Sequence, residues 1–529
     1  MPDINPLIKL DYPDPDVIRV DDTYYMVSTT MHFMPGCEIL RSYDLIHWEH
    51  ASYVYEKLDS TPAQCLLNGE NAYGKGMWAA TIRYHKGTFY IVFVCNDTQK
   101  TYLFTSKTID GPWNKSYIDG FYHDCSLLFD DDDRIYIAYG NRTIHLTELT
   151  SDLKGPKEGG VDRVIVEDSK ETSLGYEGSH FYKINGKYYI FFIHSLVGKW
   201  FRAEACYVSD SIEGEFTGGD IFVNDMGYLG SGVAQGGIVD TPDGDWYGIF
   251  FQDCGAVGRI PVLVPMTWEN DYPKMCDDSK EILNPKTVST RPGYEYAPLF
   301  GSDDFKTKKD FWQFNHEPDL SLVKLNTEAG YWSVRTSSCV KSVVEARNTV
   351  TQRLAFPATH VEVTVDAALL NDGDYAGLVV LQGAYAFVGV TKDDGKYYVV
   401  MKERICADGE MMSYKYKEPE EIRVLIDEPV LKLSFNADFM NMKDEVRFGY
   451  SAGNADADDN IADTDVNADA NSNAGTNIGP VHKMYFKLDH FTGNRAGLFM
   501  YSTKEAGGEA RFSLFTYVID DLGDFKTFN

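Results

Sequence analysis

A pattern that recurs five times governs what the first half of this 529-residue chain can fold into. A turn rich in Asp, Asn or Gly is followed by an aromatic or apolar–aromatic pair and then an apolar run. The copies are DDTYYMVST from Asp21, KGTFYIVFV from Lys86, DDRIYIAYG from Asp132, NGKYYIFFI from Asn185 and DGDWYGIFF from Asp243. Each follows another short β-prone run (DVIRV, ATIRYH, SLLFD, SHFYKI, GGIVDT), so each copy reads as strand, tight turn, strand. A second, weaker repeat follows most copies, as in EILRSYDLIHWEH at Glu38 and ACYVSDSIEGEFT at Ala205. Four antiparallel strands repeated five times predict a five-bladed β-propeller over residues 1–286. An all-β sandwich with chance internal similarity is the competing fold, and it does not explain why two separate repeats keep one order.

The repeat also aligns chemistry. Counting twelve residues back from the second aromatic of each hairpin reaches Trp78, Asp124, Glu177 and Gln235, and eleven residues back from Tyr25 reaches Asp14. In a propeller the first strand of each blade lines the central axis, so these five positions converge at one end of it. Three carboxylates, an indole and an amide are thereby expected around one cavity. Solvated surface positions would be cheaper for three acids. However, Asp14 lies between prolines in YPDPD, and Asp124 and Glu177 lead straight into apolar strands.

Composition narrows the function classes. With 49 Lys and Arg against 80 Asp and Glu, the net charge is −31. That disfavours a nucleic-acid or anionic-membrane partner, since phosphate binding requires a basic face. The nine cysteines are scattered without a C-x-x-C pair, which argues against a zinc cluster or a disulfide framework. The start of the chain, MPDINPLIKL, has no basic segment followed by an apolar run, and the expectation is a cytoplasmic protein.

Two carboxylates about 6.5–9.5 Å apart leave room for a water between one of them and an anomeric carbon, the inverting glycosidase arrangement. One must be ionised to take a proton from that water, and the other protonated to supply the leaving oxygen; a nearby negative charge and burial favour the protonated form. Clustered carboxylates could instead hold calcium. The segments YPDPDVIRVDDTYYMVST, HDCSLLFDDDDRIYIAYG and YEGSHFYKINGKYYIFF resemble the signature segments of glycoside hydrolase family 43, in particular its β-xylosidases and α-L-arabinofuranosidases. PGCEILRSYDLIHWE and AVGRIPVLVPMTWEND resemble further blades of that family. The resemblance implies Asp14 as general base, Glu177 as general acid, and Asp124 as the residue that orients Glu177 and holds its pKa up. It implies Arg259 on sugar hydroxyls, and Trp78 and Phe33 as apolar walls. In place of the more aromatic turn of many β-xylosidases stands MHFMPG, so Met31 and His32 are expected to shape the pocket. Where many members carry a histidine near an axial ion or water, this chain has Gln235, which leaves calcium open; no cofactor is required.

Residues 287–301, TVSTRPGYEYAPLFG, read as a linker. From 302 to 529, alternating runs such as HVEVTVDAAL and VLKLSFNA predict a β-sandwich, and several segments resemble the concanavalin-A-like domain attached to many family 43 xylosidases. Residues 451–480 are nearly all small, Asn or Asp and cannot bury enough apolar area to offset their ordering entropy, so a disordered insertion is expected. The combined expectation is an exo-acting inverting glycosidase that releases β-D-xylose or α-L-arabinofuranose from oligosaccharides, and that could assemble as a homo-oligomer. A non-catalytic sugar-binding propeller, an arabinanase and a galactosidase are the alternatives.

Overall fold

The structure is a computed structural model that describes residues 4–168, 171–228, 230–407, 415–452 and 475–519. Five four-stranded antiparallel sheets make up the first unit, each with its strands in chain order. Their innermost strands are Asp16–Val20, Met77–His85, Ser126–Phe129, Glu177–Ile184 and Val233–Asp240. Each of the five repeat copies forms the turn and second strand of a blade: Thr23–Ser28, Thr88–Cys95, Ile135–Asn141, Lys187–Ser195 and Trp246–Asp253. The apolar runs work because both faces of these strands are covered. Val27, Ile39, Ile82, Ile91 and Phe93 form one core joining the first two blades. Equivalent clusters join the second to the third, the third to the fourth and the fourth to the fifth.

Closure of the ring is polar. Arg19 of the first inner strand pairs with Asp240 of the last at 2.6 Å. The backbone N–H of Gly237 donates to Pro15 O at 3.1 Å. Ahead of the first blade, Asn5 bonds the Leu263 and Ile282 carbonyls and the Leu263 N–H, which fastens the beginning of the chain to the fifth blade.

The axis is filled at mid-height by a charged network. Asp16, fully buried, takes Arg83 Nη1 at 2.7 Å, the Ile82 N–H at 2.8 Å and His180 Nδ1 at 3.0 Å. Arg83 continues to Ser126 Oγ at 2.6 Å and to Leu127 O at 2.7 Å. Burial would raise the Asp16 carboxyl, but Arg83 and His180 outweigh it and hold the pKa down at about 2. A side chain at Gly237 would meet Asp16 Oδ1 and the Tyr182 hydroxyl at 2.9 Å, so the fifth blade must approach this network with no Cβ.

The segment expected to be a linker is strapped to the first blade over most of its length. Thr290 N donates to Tyr43 O, Tyr294 Oη and Ala297 N donate to the Glu49 carboxylate, and Arg291 pairs with Asp22 at 2.8 Å. Its aromatics and its arginine find partners that turn propensity alone does not reveal.

The second unit is a two-sheet sandwich. One sheet runs Gln313–Asn315, Val350–Arg353, Arg495–Ser502, Asp374–Leu381, Ala386–Asp393, Lys396–Glu403, Ile422–Ile426. The other runs Val323–Asn326, Tyr331–Arg335, Glu509–Ile519, Ala358–Asp366, Val430–Asp438, Glu445–Ala452, Thr476–Lys483. Alternation places Val361, Val363, Val365, Leu433 and Phe435 in the core, each fully buried. Part of the segment 451–480, expected to be a disordered insertion, is ordered strand. Residues 451–452 end one strand, and Thr476–Lys483 pairs with it even though composition favours disorder, because Ile478 is buried opposite Phe448. Residues 453–474 lie outside the described residues.

Candidate active site

The five positions that the repeat aligns lie at the starts of the five inner strands, and the backbone there departs from regular strand. Asp14, Asp124 and Gln235 adopt left-handed φ of 52°, 48° and 57°, and Gly178, next to Glu177, has φ of 64°. The inner strands of the second, fourth and fifth blades carry bulges between Met77 and Ala80, Glu177 and His180, and Ala234 and Gly236. A bulge or a left-handed residue at a strand start re-aims the side chain, and such strain persists where the surroundings over-determine it. In the fourth blade it separates two tasks: Glu177 turns to the axial end while His180 reaches Asp16.

Asp14 is buried, and both its carboxylate oxygens are engaged. Arg259 Nη1 donates to one at 2.7 Å and Thr29 Oγ1 to the other at 2.7 Å. Arg259 is itself placed by its N–H on Asp11 at 2.8 Å and lies 3.8 Å from Asp253. It therefore joins the fifth blade to the segment ahead of the first as well as supporting Asp14.

Asp124 and Glu177 approach each other across two blades, with the Ser179 N–H donating to Asp124 O at 3.1 Å. His123 lies between them, its Nε2 3.7 Å from an oxygen of each. Asn141, at the top of the third blade's second strand, donates to Glu177 Oε2. Burial pushes the Asp124 carboxyl up to about 7; His123 opposes this, while Glu177 and Asp14 add to it. Chiefly through Asp124, the His123 imidazole is raised to about 9. The site therefore sets a clamped Asp14 against a second carboxyl, Asp124, that holds a proton near neutrality. Trp78 is half-buried with its ring 5.6 Å from that of His123.

Other expected residues fare differently. Gln235 is buried; its N–H donates to Glu204 Oε2 at 2.7 Å, and its side chain fills the space a Cβ on Gly178 would occupy. It supports the Glu177 turn from beneath. His32 and Phe33 are each 2% exposed, their rings 4.4 Å apart, with Tyr73 at 4.8 Å from His32. Both are as buried as Asp14 and Asp124 are. Met31 is equally buried, bridged to Met77 at the start of the second blade.

Four residues of the site escaped the sequence reading: His123, Asn141, Thr29 and Glu204. Neighbours in a regular strand point to opposite faces, so His123 beside Asp124 carried no signal; the left-handed turn at Asp124 is what brings both to one place. Asn141 and Thr29 do have a signature, since both cap the second strand of a blade that bears a carboxylate.

Among the described residues, the one group of three His, Cys, Asp or Glu donors close enough to share a cation is His123, Asp124 and Glu177, within 4.8 Å. Calcium prefers six to eight oxygens. Two carboxylates and an imidazole do not make that cage, and the Gln235 side chain packs against Gly178. The residues present do not fit calcium.

The sequence model of glycosyl hydrolases family 43 matches residues 4–273, and that of the beta xylosidase C-terminal concanavalin A-like domain matches residues 302–518. This chain belongs to glycosyl hydrolase family 43. It is similar to a beta-xylosidase of Formosa agariphila, 25% identical, with 98% of this chain and 90% of that one covered. It is also similar to a non-reducing end alpha-L-arabinofuranosidase of Bacteroides ovatus, 26% identical, over 71% of this chain and 73% of the other. Among solved structures, a bifunctional family 43 protein of Bacteroides eggerthii superposes with a TM-score of 0.85 at 37% identity; 98% of this chain covers 64% of that one. The family 43 chain is a glycosidase built as a five-bladed propeller followed by a concanavalin A-like sandwich.

Proposed function

We propose that this family 43 glycosidase is exo-acting and inverting, and that it releases a terminal β-D-xylose or α-L-arabinofuranose from short oligosaccharides. The observation that carries the reading is the asymmetry of the site: Asp14 clamped by Arg259 and Thr29, against Asp124 and Glu177 crowded together with the carboxyl of Asp124 raised to about 7. One side is built to accept a proton and the other to hold one. The names borne by the relatives from Formosa agariphila and Bacteroides ovatus support the choice of pentose.

In this mechanism water attacks the anomeric carbon and gives its proton to Asp14. The glycosidic C–O bond breaks with its electron pair on the leaving oxygen, which takes the proton of Glu177. Asp124 and His123 set the charge around Glu177, and Asn141 fixes its orientation. Arg259 and Thr29 hold the Asp14 carboxylate in place toward the water, and Trp78 offers an apolar wall. Water and glycoside become a free sugar of inverted configuration and an alcohol, and the two carboxyls exchange their protons with solvent before the next turnover.

The test is proton NMR of the first-formed sugar with a nitrophenyl β-xyloside and an α-L-arabinofuranoside in parallel. A β-xyloside must yield α-xylose first; β-xylose first refutes inversion. Asp14→Ala and Glu177→Ala proteins that retain wild-type turnover would remove the acid–base assignment.

A further inference from the structure

On the fourth blade, the one that carries Glu177, the loop 196–201 joins Lys187–Ser195 to Arg202–Ser209. Ile193 pairs with Glu177 and Ser195 with Arg202, so this loop leaves the blade at the end where Glu177 stands. It is a short closed loop, with the Leu196 N–H on Phe201 O at 2.9 Å. It displays Val197 at 62% and Trp200 at 47% exposure, and Val223, which leaves the same end of the blade beyond Phe222, is 48% exposed. A tryptophan costs much to display in water, and apolar groups gathered at the rim of a site mark a binding surface.

Trp200 is also fixed in place. The guanidinium of Arg202 lies 5.2 Å from its ring and 5.3 Å from that of buried Phe251. Arg202 pairs with Asp253 at 2.5 Å, Asp253 lies 3.8 Å from Arg259, the Arg259 guanidinium lies 4.9 Å from the Phe251 ring, and Arg259 bonds Asp14. A continuous line of ion pairs and cation–ring contacts thus runs from the exposed indole to Asp14. Resting a guanidinium on an aromatic face costs the ring its freedom and leaves it prepared for a flat partner.

We propose that Trp200 is the stacking platform for the leaving-group side of the oligosaccharide, receiving the C–H face of a sugar ring beyond the scissile bond. The chemistry follows from the ring: its electron-rich face attracts the slightly positive axial C–H bonds of a pyranose, and its flatness asks for little sequence or linkage specificity. This rests on the reading of the site as an exo-glycosidase and extends it: the enzyme should prefer substrates with at least one further sugar over those with a small leaving group.

The experiment compares wild type, Trp200→Ala and Trp200→Phe on β-1,4-xylotriose, with free D-xylose and L-arabinose as competitive inhibitors that report on the terminal-sugar site. In the alanine protein kcat/KM for the trisaccharide should fall about tenfold, as truncation of a buried-on-binding tryptophan does, while the inhibition constants of the free pentoses stay put. Phe should recover most of the loss. An alanine protein that cleaves xylotriose as well as wild type overturns the platform, as does a phenylalanine protein as poor as alanine. In the wild type alone, oxidative footprinting supplies a reading that needs no variant: xylotriose should protect Trp200 and free xylose should not, and absence of protection by saturating xylotriose overturns the proposal. A wild type that hydrolyses no pentoside at all would instead remove the function proposed above.

Discussion

Replacing His123 by glutamine tests the electrostatics of the site directly. The imidazole is raised from 6.5 to about 9 by Asp124 first, then by Glu177 and Asp14, a rise worth about 3 kcal/mol between the charged ring and its surroundings. Linkage is reciprocal: what the carboxylates do for the imidazolium, the imidazolium does for the carboxylates. With the positive charge gone, the Asp124 carboxyl holds its proton more tightly. If about a third to a half of the total falls on Asp124, the pH at which it loses its proton climbs by about one unit. The assay is kcat/KM on a nitrophenyl pentoside from pH 5 to 10, in which the alkaline limb should move upward in His123→Gln. Glutamine keeps a donor at this place, so orientation of Glu177 is largely spared. For the fold the sign is the opposite of an acid's: a histidine raised in the folded state contributes fully below about 6.5 and loses that contribution as pH climbs through about 9. An alkaline limb that stays where it is, or moves down, refutes the reasoning.

Three further outcomes are expected. Asp16→Asn leaves Arg83 buried without its counter-charge and should lower propeller stability by about 3–5 kcal/mol at pH 7 in urea titrations. Because the Asp16 pKa is held at about 2 against an ordinary 3.8, the wild-type advantage is present above 3.8 and must shrink as pH falls toward 2; a gap that stays constant in acid contradicts this account. Glu204, fully buried, has its carboxyl pushed well above the usual range by burial, and Oε1 meets no hydrogen-bond partner among the described residues. Burial thus favours its protonated form, so Glu204→Gln should unfold within about 1 kcal/mol of wild type, whereas Glu204→Leu strands the Gln235 N–H at a cost of about 1–3 kcal/mol, read by the thermal midpoint. Gly178→Ala combines φ of 64° with a clash on the Gln235 side chain; turnover should fall at least tenfold with folding retained by circular dichroism, and an alanine protein of full activity would show that the Glu177 turn is not held this tightly.

Asp14, Asp124 and Glu177 could be found by counting because a blade is a ruler: the aromatic pair fixes the second strand, and its partner strand must begin a set distance away. The same ruler located Trp78 and Gln235 but could not say what Gln235 does. Its amide neighbours Gly178 and its N–H meets Glu204, and both contacts arise between blades, where sequence distance carries no information. His32 and Phe33 show a related limit: sequence places an aromatic beside these segments but does not say how deeply it sits, and both are buried. Residues 287–301 looked like a linker because turn residues dominate the composition, while Tyr294, Tyr296 and Arg291 find their partners on the first blade. Composition likewise overextended the insertion, because one buried isoleucine, Ile478, is enough to carry a polar stretch into the sheet.

The knot of Asp16, Arg83, Ser126 and His180 draws on four of the five blades and sits one short step beneath the acids. None of these residues can be exchanged alone without stranding a charge or a donor in the dry interior, which fixes the number and register of the blades. The loops above it answer to no such constraint. Lineages sharing this plan can therefore lengthen or swap the rim and so acquire new tastes in sugars, while the floor that aims the chemistry is inherited unchanged.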